Sequence, residues 1–328
     1  MIAPIAVSCG DPAGIGPEIA VAARALAPEV AFAILGDPRH FAPAAAQAGV
    51  RLAEIDHIGD AARTPGLAIL PMDFAAAAVP GKPDHRNAAG TIASIDRAVA
   101  ATQTGEAGAV CTLPIAKSVL IRGAGFAHPG HTEYLAHLGG VPRSVMLLTA
   151  PEMSVVPVTI HIPLAEVPDA LTTAALEDTL RITRAAFQRD FAVAEPRIAV
   201  AGLNPHAGEA GLIGSEDRDL IAPVLARLRD EGWQIAGPLP ADTMFHPAAR
   251  ATYDVAVMMY HDQALIPIKT LNFAEGVNVT LGLPFVRTSP DHGTAFGIAG
   301  RGIADPSSLV AALRTAQSMA TNRAAFDG

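Results

Sequence analysis

The amino-acid sequence predicts an α/β fold with two domains. Short apolar runs typical of buried strands alternate along the chain with longer segments typical of helices. The chain has 328 residues, half of them hydrophobic, which is enough for two such domains around separate cores. The alternation favours a parallel sheet, in which the carboxyl ends of the strands share one edge and ligands bind beyond it.

Composition and charge exclude several classes of protein. The formal net charge of −9 and the absence of a Lys/Arg run argue against a nucleic-acid partner. Apolar stretches are interrupted well before they reach the length of a membrane span, and no signal peptide is evident. Cys9 and Cys111 each end an apolar run, which is typical of buried free thiols. The sequence therefore predicts a cytoplasmic protein with no membrane contact.

The first predicted strand, residues 3–8, leads into a glycine-rich loop and an alanine-rich helix. Gly14 and Gly16 match the start of a dinucleotide-binding G-x-G-x-x-G pattern, but Ile19 occupies the third glycine position. The loop is also no P-loop, because no Gly-Lys-Ser/Thr follows. From spacing alone, a ligand loop and a tight strand-to-helix turn are equally favoured.

The following elements are predicted from apolar runs and helix signals. Further strands are predicted at 30–35, 67–70, 109–111, 144–149, 155–159, 197–201, near Trp233 and at 255–259, with helices at 89–104, 164–190, 216–230 and 306–325. His131 and Thr132 stand at another predicted helix start, where exposed N–H groups can bind a phosphate or carboxylate. The alternative is that Thr132 only caps that helix.

Three histidines come just after predicted strands. They are His161, His206 and His261. Because parallel strands end at one edge, the three imidazoles can converge there and hold a catalytic divalent ion. Asp262 and Asp242 are candidates for carboxylates that support the ligands. The spacing alone is weak, since a single core histidine more often bonds a backbone carbonyl than a metal.

The segment from Tyr253 to Asp305 concentrates further polar candidates. After the run that ends in Tyr-His-Asp-Gln it contains Lys269, Asn278, Arg287 and the turn Asp-His-Gly-Thr-Ala at 291–295. Lysine is rare in this chain, occurring only at Lys82, Lys117 and Lys269. Because an ammonium can release its proton and a guanidinium cannot, Lys269 and Lys117 are candidates for proton transfer.

The chain resembles the 4-hydroxythreonine-4-phosphate dehydrogenases of vitamin B6 biosynthesis along nearly its whole length. The matching stretches are GDPAGIGPEI, LPIAKSVL, PGHTEYLA, GLNPHAGE, GPLPADTMF, YHDQALIPIK and NVTLGLPFVRTSPDHGTA. The resemblance implies a fold like that of isocitrate and isopropylmalate dehydrogenases, with two α/β/α domains and a cleft between them. The expected domains are residues 1–130 with 275–328, on the nucleotide side, and residues 131–274, with the metal, substrate and dimer interface.

The resemblance also implies an activity and a set of site residues. The expected reaction is metal-dependent oxidation of 4-phosphooxy-L-threonine with NAD or NADP, followed by decarboxylation to 3-amino-2-oxopropyl phosphate. A homodimer with active sites at its interface is expected, with zinc, magnesium or cobalt as the metal. The implied metal ligands are His161, His206 and His261; the substrate contacts are His131, Thr132, Lys269, Asn278 and Arg287; the catalytic groups are Lys269, Asp262 and Asp242; and the nucleotide contacts are Gly14, Ile15, His292, Gly293, Thr294 and Ala295.

One position departs from the family pattern. Gly297 stands where related dehydrogenases carry Asp or Glu, and an acid there would bind ribose hydroxyls and disfavour a 2′-phosphate. The preference for NAD over NADP is therefore open. Two other functions also remain: a paralogue acting on phospho-threonate or phospho-erythronate, and a metal-dependent sugar-phosphate binding protein without turnover. A cis-dihydrodiol dehydrogenase is less favoured, because the chain keeps both PGHTE and LPFVRTS.

Overall fold

The computed structural model describes residues 2–328 and divides the chain into two compact units. The first unit comprises Met1–Ser144 and Leu283–Gly328, and the second comprises Val145–Gly282. The strands are β1 (Ile5–Ser8), β2 (Phe32–Gly36), β3 (Leu52–Glu54), β4 (Leu67–Pro71), β5 (Ala109–Thr112), β6 (Val145–Ala150), β7 (Met153–Thr159), β8 (Ile198–Ala201), β9 (Ile235–Leu239), β10 (Val255–Tyr260), β11 (Val277–Leu281) and β12 (Arg287–Pro290). The helices are α1 (Gly16–Leu26), α2 (Pro38–Ala48), α3 (Ala88–Gln103), α4 (Lys117–Ala124), α5 (His131–Leu138), α6 (Val167–Ala170), α7 (Thr173–Asp190), α8 (Ala222–Asp230), α9 (Pro247–Arg250), α10 (His261–Leu271) and α11 (Ser307–Asp327).

The unit boundaries differ from the domain boundaries expected from sequence. Residues 131–144 pack with the first unit, because Tyr134 and Leu135 lie in its core and the Tyr134 hydroxyl donates to Asp96. Residues 275–282 belong to the second unit, because β11 pairs with β6 there. Both shifts follow from side-chain packing and strand pairing that no composition change in the sequence marks.

The first unit contains a parallel sheet in the order β3-β4-β2-β1-β5-β12. Every residue of β1, β2, β5 and β12 is buried, as expected for parallel strands covered on both faces. Since parallel strands end at one edge, the loops that follow β1, β5 and β12 lie on the same side of this sheet. That edge carries the candidate nucleotide and anion residues of the first unit.

The second unit contains a mixed sheet in the order β11-β6-β7-β10-β8-β9. Strands β7, β10, β8 and β9 are parallel, whereas β6 is antiparallel to both β7 and β11. The expected parallel architecture is therefore wrong at β6, which runs against both of its neighbours, whereas β11 has the same direction as β7. The physical reason is the two-residue connection between Ala150 and Met153, which can join antiparallel strands only.

Several elements escaped the sequence patterns. Strands β3, β11 and β12 and helix α2 were not predicted, and the strand expected near Trp233 begins at Ile235. Proline at the first turn and the Asp37 cap begin α2, although its high alanine content gives little apolar contrast. Among residues 2–328, no helix is both long and apolar enough to span a bilayer.

Candidate active site

The carboxyl ends of three adjacent parallel strands carry the histidines nominated as metal ligands. In the second unit β10 lies between β7 and β8 and is parallel to both. His161 follows β7, His206 follows β8, and His261 is the first residue of α10 directly after β10. The topology thus places all three residues at one edge of the sheet.

His161 and His261 are close enough to act on one ion. Their ring centroids are 5.7 Å apart with the planes tilted by 45°. The His261 Nδ1 atom lies 2.7 Å from Asp262 Oδ1. If Nδ1–H donates to this carboxylate, the Nε2 lone pair of His261 is left for a metal. The donor set therefore fits a divalent ion that accepts imidazole nitrogen.

A cavity adjoins this imidazole pair. Its volume is about 330 Å³, and it lies wholly within the second unit. Its lining combines the ends of β7 and β10 with the apolar segment after β7: Thr159, Ile160, His161, Ile162, Leu164, Val167, Tyr260, His261 and Asp262. The cavity can hold a small ligand that contacts both imidazoles.

His206 lies in an exposed turn next to this edge. It begins a run of residues with positive φ and is not within a compact ligand cluster, since residues 2–328 contain no group of three or more His, Cys, Asp or Glu that could hold a metal. Asp242 is exposed in the short turn after β9, which packs against the His206 turn. The structure therefore brings together His161, His261 and Asp262, and leaves His206 and Asp242 beside them.

Unusual backbone conformations concentrate at the candidate site residues. Seven non-glycine residues within 2–328 have positive φ: His161, Ala192, His206, Ala207, Glu209, Ala210 and Ala295. Ala295 belongs to the turn at 291–295, and the others, except Ala192, lie at the sheet edge where the strands before the three histidines end. Such conformations are costly for L-residues and persist where the surroundings determine them, often at ligand sites.

Lys269 is separated from His261 along one continuous helix. The sequence suggested a short helix or turn that ends after Pro267 and returns the amine toward the metal, but α10 runs through Pro267 to Leu271. Eight residues of helix place Lys269 about 12 Å along the axis from His261. Its Nζ atom lies 5.6 Å from the centre of the Phe273 ring. Within one chain, the structure does not bring Lys269 to the imidazole pair.

Asn278 lies in β11, opposite Leu148 of β6, and is half-buried. It is thus held in a sheet of the second unit, where its backbone is fixed by strand pairing.

A buried cation and a buried imidazole lie near each other in the first unit. Arg287 on β12 is only 3 % exposed, and its guanidinium donates to the Thr112 hydroxyl at 2.6 Å. Burial lowers the pKa of Arg287 to about 10, so the group remains charged at neutral pH. His131 opens α5, its Nε2 atom is buried without a hydrogen-bond partner, and burial together with Arg287 holds its pKa well below 6.5. This arrangement can receive an anion.

The helix start at His131 is not closed by a side-chain cap. The N-cap residue of α5 is Gly130, and no side chain accepts a hydrogen bond there. Thr132 is therefore not the cap that the alternative interpretation required. The first-turn N–H groups and the Thr132 hydroxyl can serve a ligand.

The loops assigned to the nucleotide contact one another in the first unit. The backbone N–H of Ile15 donates to the carbonyl of Thr294 at 3.0 Å. A Cβ on Gly14 would lie 2.8 Å from that same carbonyl, so the close approach requires glycine. Gly293 has no such constraint, since a Cβ there would meet nothing within 4 Å. His292 Nε2 is buried without a partner, beside this junction in sequence.

A family model described as "Pyridoxal phosphate biosynthetic protein PdxA" matches residues 29–316. The chain belongs to the PdxA family. It is 59% identical over 324 residues to the 4-hydroxythreonine-4-phosphate dehydrogenase of Paracoccus denitrificans, with 98% of each chain covered. It is 56% identical over 322 residues to the enzyme of the same name from Roseobacter denitrificans, with 97% of each covered.

The solved structure of 4-hydroxythreonine-4-phosphate dehydrogenase from Klebsiella pneumoniae also matches. The TM-score is 0.88 at 36% identity, covering 97% of this chain and 99% of that one. The predicted PdxA-type family, the α/β fold class and the dehydrogenase class are therefore confirmed.

Two supporting side chains of this PdxA-family chain were missed at the sequence level. Gln263 accepts from the Met259 N–H at 2.7 Å and donates to the Gly202 carbonyl at 2.8 Å. It thereby joins the end of β8, which leads to His206, to the helix that starts at His261. Thr112, the partner of Arg287, was likewise missed. An isolated Gln or Thr after a strand gives no signal of its partner.

The depressed pKa of His131 predicts a pH-dependent stability. Below pH 6.5 the unfolded chain binds a proton at residue 131 that the folded chain does not, so stability is lost as the pH falls from 6.5 toward the folded pKa. The expected contribution is up to about 1.4 kcal/mol per pH unit. Urea unfolding at pH 7.5 and 5.5 should show a smaller loss in His131→Gln than in the native chain.

The exposed residue His137 on the same helix provides the control. His137→Gln should keep the native pH dependence, since this ring is open to solvent. If His131→Gln and the native chain lose the same free energy of unfolding, His131 is not held neutral by burial.

Proposed function

We propose that this chain oxidises the secondary alcohol of 4-phosphooxy-L-threonine with NAD or NADP in the presence of a divalent ion. The carbinol carbon gives a hydride, which is two electrons and one proton, to the nucleotide, and the hydroxyl gives its proton to Lys269 or to solvent. The 2-amino-3-oxo-4-phosphooxybutanoate formed loses CO₂ to give 3-amino-2-oxopropyl phosphate, a precursor in pyridoxal phosphate biosynthesis. The observation that carries the proposal is the pair His161–His261 beside Asp262, in a chain of the PdxA family.

The imidazoles account for the metal part of the proposal. His161, His206 and His261 would hold the ion, and their nitrogen donors favour zinc or cobalt over magnesium, which prefers oxygen ligands. When bound, a divalent ion lowers the pKa of a coordinated hydroxyl and stabilises negative charge on oxygen. Asp262 orients His261 through the Nδ1 contact, and Asp242 supports the neighbouring turn.

The anionic groups of the substrate have partners in the first unit. Arg287 offers a buried, charged guanidinium, and His131 a buried imidazole nitrogen, beside the uncapped start of α5. A phosphate or carboxylate placed there receives charge-assisted hydrogen bonds in a dry environment. Thr132, Asn278 and Lys269 complete the proposed substrate contacts, with Lys269 assisting proton removal.

A homodimer is part of the proposal. Large apolar side chains are exposed on the second unit, among them Leu212, which is 84 % exposed, and Phe273, which is 77 % exposed. Association of two chains would remove such side chains from water. If ligands are drawn from both chains, Lys269 need not face the His261 of its own chain. Free, buried Cys9 and Cys111 support a reducing, cytoplasmic setting.

The reaction is tested by NADH or NADPH absorbance with purified protein, 4-phosphooxy-L-threonine, metal and either nucleotide. Reduction of the nucleotide that depends on this substrate is expected. Turnover of phospho-threonate or phospho-erythronate instead would identify a paralogue. Binding of the phosphorylated compounds without turnover would identify a binding protein.

Gly297 is expected to relax the selection against NADP. It is exposed, and a Cβ there would meet nothing within 4 Å, so an aspartate fits without strain. No carboxylate stands at position 297 to repel a 2′-phosphate, which is why the selection against NADP is expected to be weak. Gly297→Asp should raise the NAD/NADP ratio of kcat/KM about tenfold, or 1–2 kcal/mol.

The control for this cofactor prediction is Gly297→Asn, which has nearly the same size but no charge. It should leave the cofactor ratio within about twofold of the native value. Equal ratios in the native chain and in Gly297→Asp would show that position 297 does not face the ribose.

A further inference from the structure

The turn that carries His206 is left-handed over five consecutive residues. The φ values of residues 206–210 are 53°, 52°, 74°, 43° and 59°, and only residue 208 is a glycine. L-residues enter this region singly, in general, because Cβ approaches the following carbonyl oxygen. A run of this kind needs outside contacts that hold it.

Asp217 supplies those contacts from the π-helical turn Asp217–Ile221 that precedes α8. It is 1 % exposed, and its Oδ1 atom accepts from the Leu203 N–H at 2.8 Å. Its Oδ2 atom accepts from the Asn204 N–H at 3.1 Å and from the Asn204 side-chain amide at 2.9 Å. Three donors just before the left-handed turn thus converge on one buried carboxylate.

Two glycines show how closely the turn encloses this carboxylate. A Cβ on Gly202 would lie 2.5 Å from Asp217 Oδ1, and a Cβ on Gly208 would lie 3.1 Å from Oδ2. The chain before the turn and the middle of the turn therefore both pass against Asp217. A change at this carboxylate will move the backbone on which His206 stands.

We propose that Asp217 is the positioning residue for His206: its carboxylate fixes the left-handed turn, and the turn sets the direction of the imidazole. The inference rests on the proposed function, in which His206 is a metal ligand. It assigns to Asp217 a role in metal affinity that is separable from a role in stability. Outer groups that orient a ligand typically contribute 10–100-fold to metal affinity.

The test is the binding of Co²⁺ to the purified full-length chain, followed by calorimetry and by the visible spectrum of the ion. Asp217→Asn should weaken binding 10–100-fold, because an amide nitrogen then faces a backbone N–H donor. Asp219→Asn is the matched control, since Asp219 is exposed and its carboxylate accepts from Arg218. It should change affinity less than about twofold.

A second comparison separates positioning from stability. Val224→Ala in α8 removes two methyl groups from a fully buried site and should lower Tm while leaving Co²⁺ affinity and spectrum unchanged. If Asp217 contributed only to stability, Asp217→Asn would likewise lower Tm without changing the affinity for Co²⁺ or its spectrum. An altered Co²⁺ spectrum in Asp217→Asn alone supports the positioning role.

The variants test the ligand role of His206 and the positioning role of Asp217 separately. Weaker binding in His206→Ala with native affinity in a folded Asp217→Asn would overturn the positioning role alone. Native affinity in His206→Ala would overturn the ligand role itself and this inference with it. If Asp217→Asn does not fold, Asn204→Ala removes one of the three donors at a half-buried position. A 3–10-fold loss in affinity is then expected, and no loss overturns the inference.

Discussion

Replacing His206 with alanine is expected to reduce turnover by at least about 1,000-fold while the fold is retained. The ion is expected to contribute several kcal/mol to the oxidation step, and each 1.4 kcal/mol is a factor of ten in rate. We expect the fold to persist without the ion, because each unit has its own apolar core. The measurements are kcat/KM, metal content by elemental analysis and circular dichroism.

The matched control is His57→Ala, at an exposed position in the first unit where the side chain makes no capping hydrogen bond. It should keep native activity and metal content. Exhaustive chelation should abolish turnover in the native chain without unfolding it or dissociating the proposed dimer, and added divalent ion should restore it. Full activity after removal of divalent ions would contradict the metal role, and native metal content in His206→Ala would remove this residue from the ligand set.

Lys269→Arg is expected to lower kcat by roughly 10²–10⁴-fold with little change in KM. Arginine keeps the positive charge but cannot release a proton at accessible pH, so the loss isolates proton transfer. A residue that only holds an anion would instead show a raised KM with kcat nearly unchanged. Steady-state kinetics at saturating nucleotide and metal distinguish the two.

Lys82→Arg is the control for this substitution, because Lys82 is exposed in a loop and no reaction role is proposed for it. A Lys269→Arg enzyme with near-native kcat would leave Lys269 as a substrate clamp. Mixed dimers add a second readout. Lys269 is about 12 Å along α10 from His261, so in the proposed dimer one site can take His206 and Lys269 from different chains. A heterodimer of His206→Ala and Lys269→Arg chains should then keep about half of the native activity, because one of its sites has neither substitution, and far less if both residues come from the same chain.

Sequence patterns located the strands well where an apolar run ends in polar residues. The runs before His161, His206 and His261 are short, buried and bounded, so the strand edge that carries these residues could be predicted. The runs themselves carry no information on strand direction, which is why the reversed direction of β6 was not predicted. The hairpin connection at residues 151–152 was the only local signal of the antiparallel pair.

Other features depend on contacts distant in sequence. The left-handed turn at 206–210 has one glycine in five residues, which is too little to indicate its conformation, and Asp217 lies eleven residues after His206. Pro267 suggested the end of a helix, but α10 continues past it to Leu271, stabilised by the packing of Ala264, Leu265 and Ile268. Local propensity cannot reveal a conformation that is stabilised by a carboxylate or a core elsewhere in the chain.

The division of the chain into Val145–Gly282 and two flanking segments has a consequence for synthesis. The inner unit is continuous and can fold as soon as it leaves the ribosome, because domains fold as units during translation. The outer unit must wait for residues 283–328, which supply β12 beside β5 and helix α11 against β12, β5 and β1. Until then β5 is an open and mostly apolar edge strand, which is prone to pair with other chains. A premature stop before Leu283 would therefore yield a folded inner unit joined to an incomplete outer unit that is prone to aggregate.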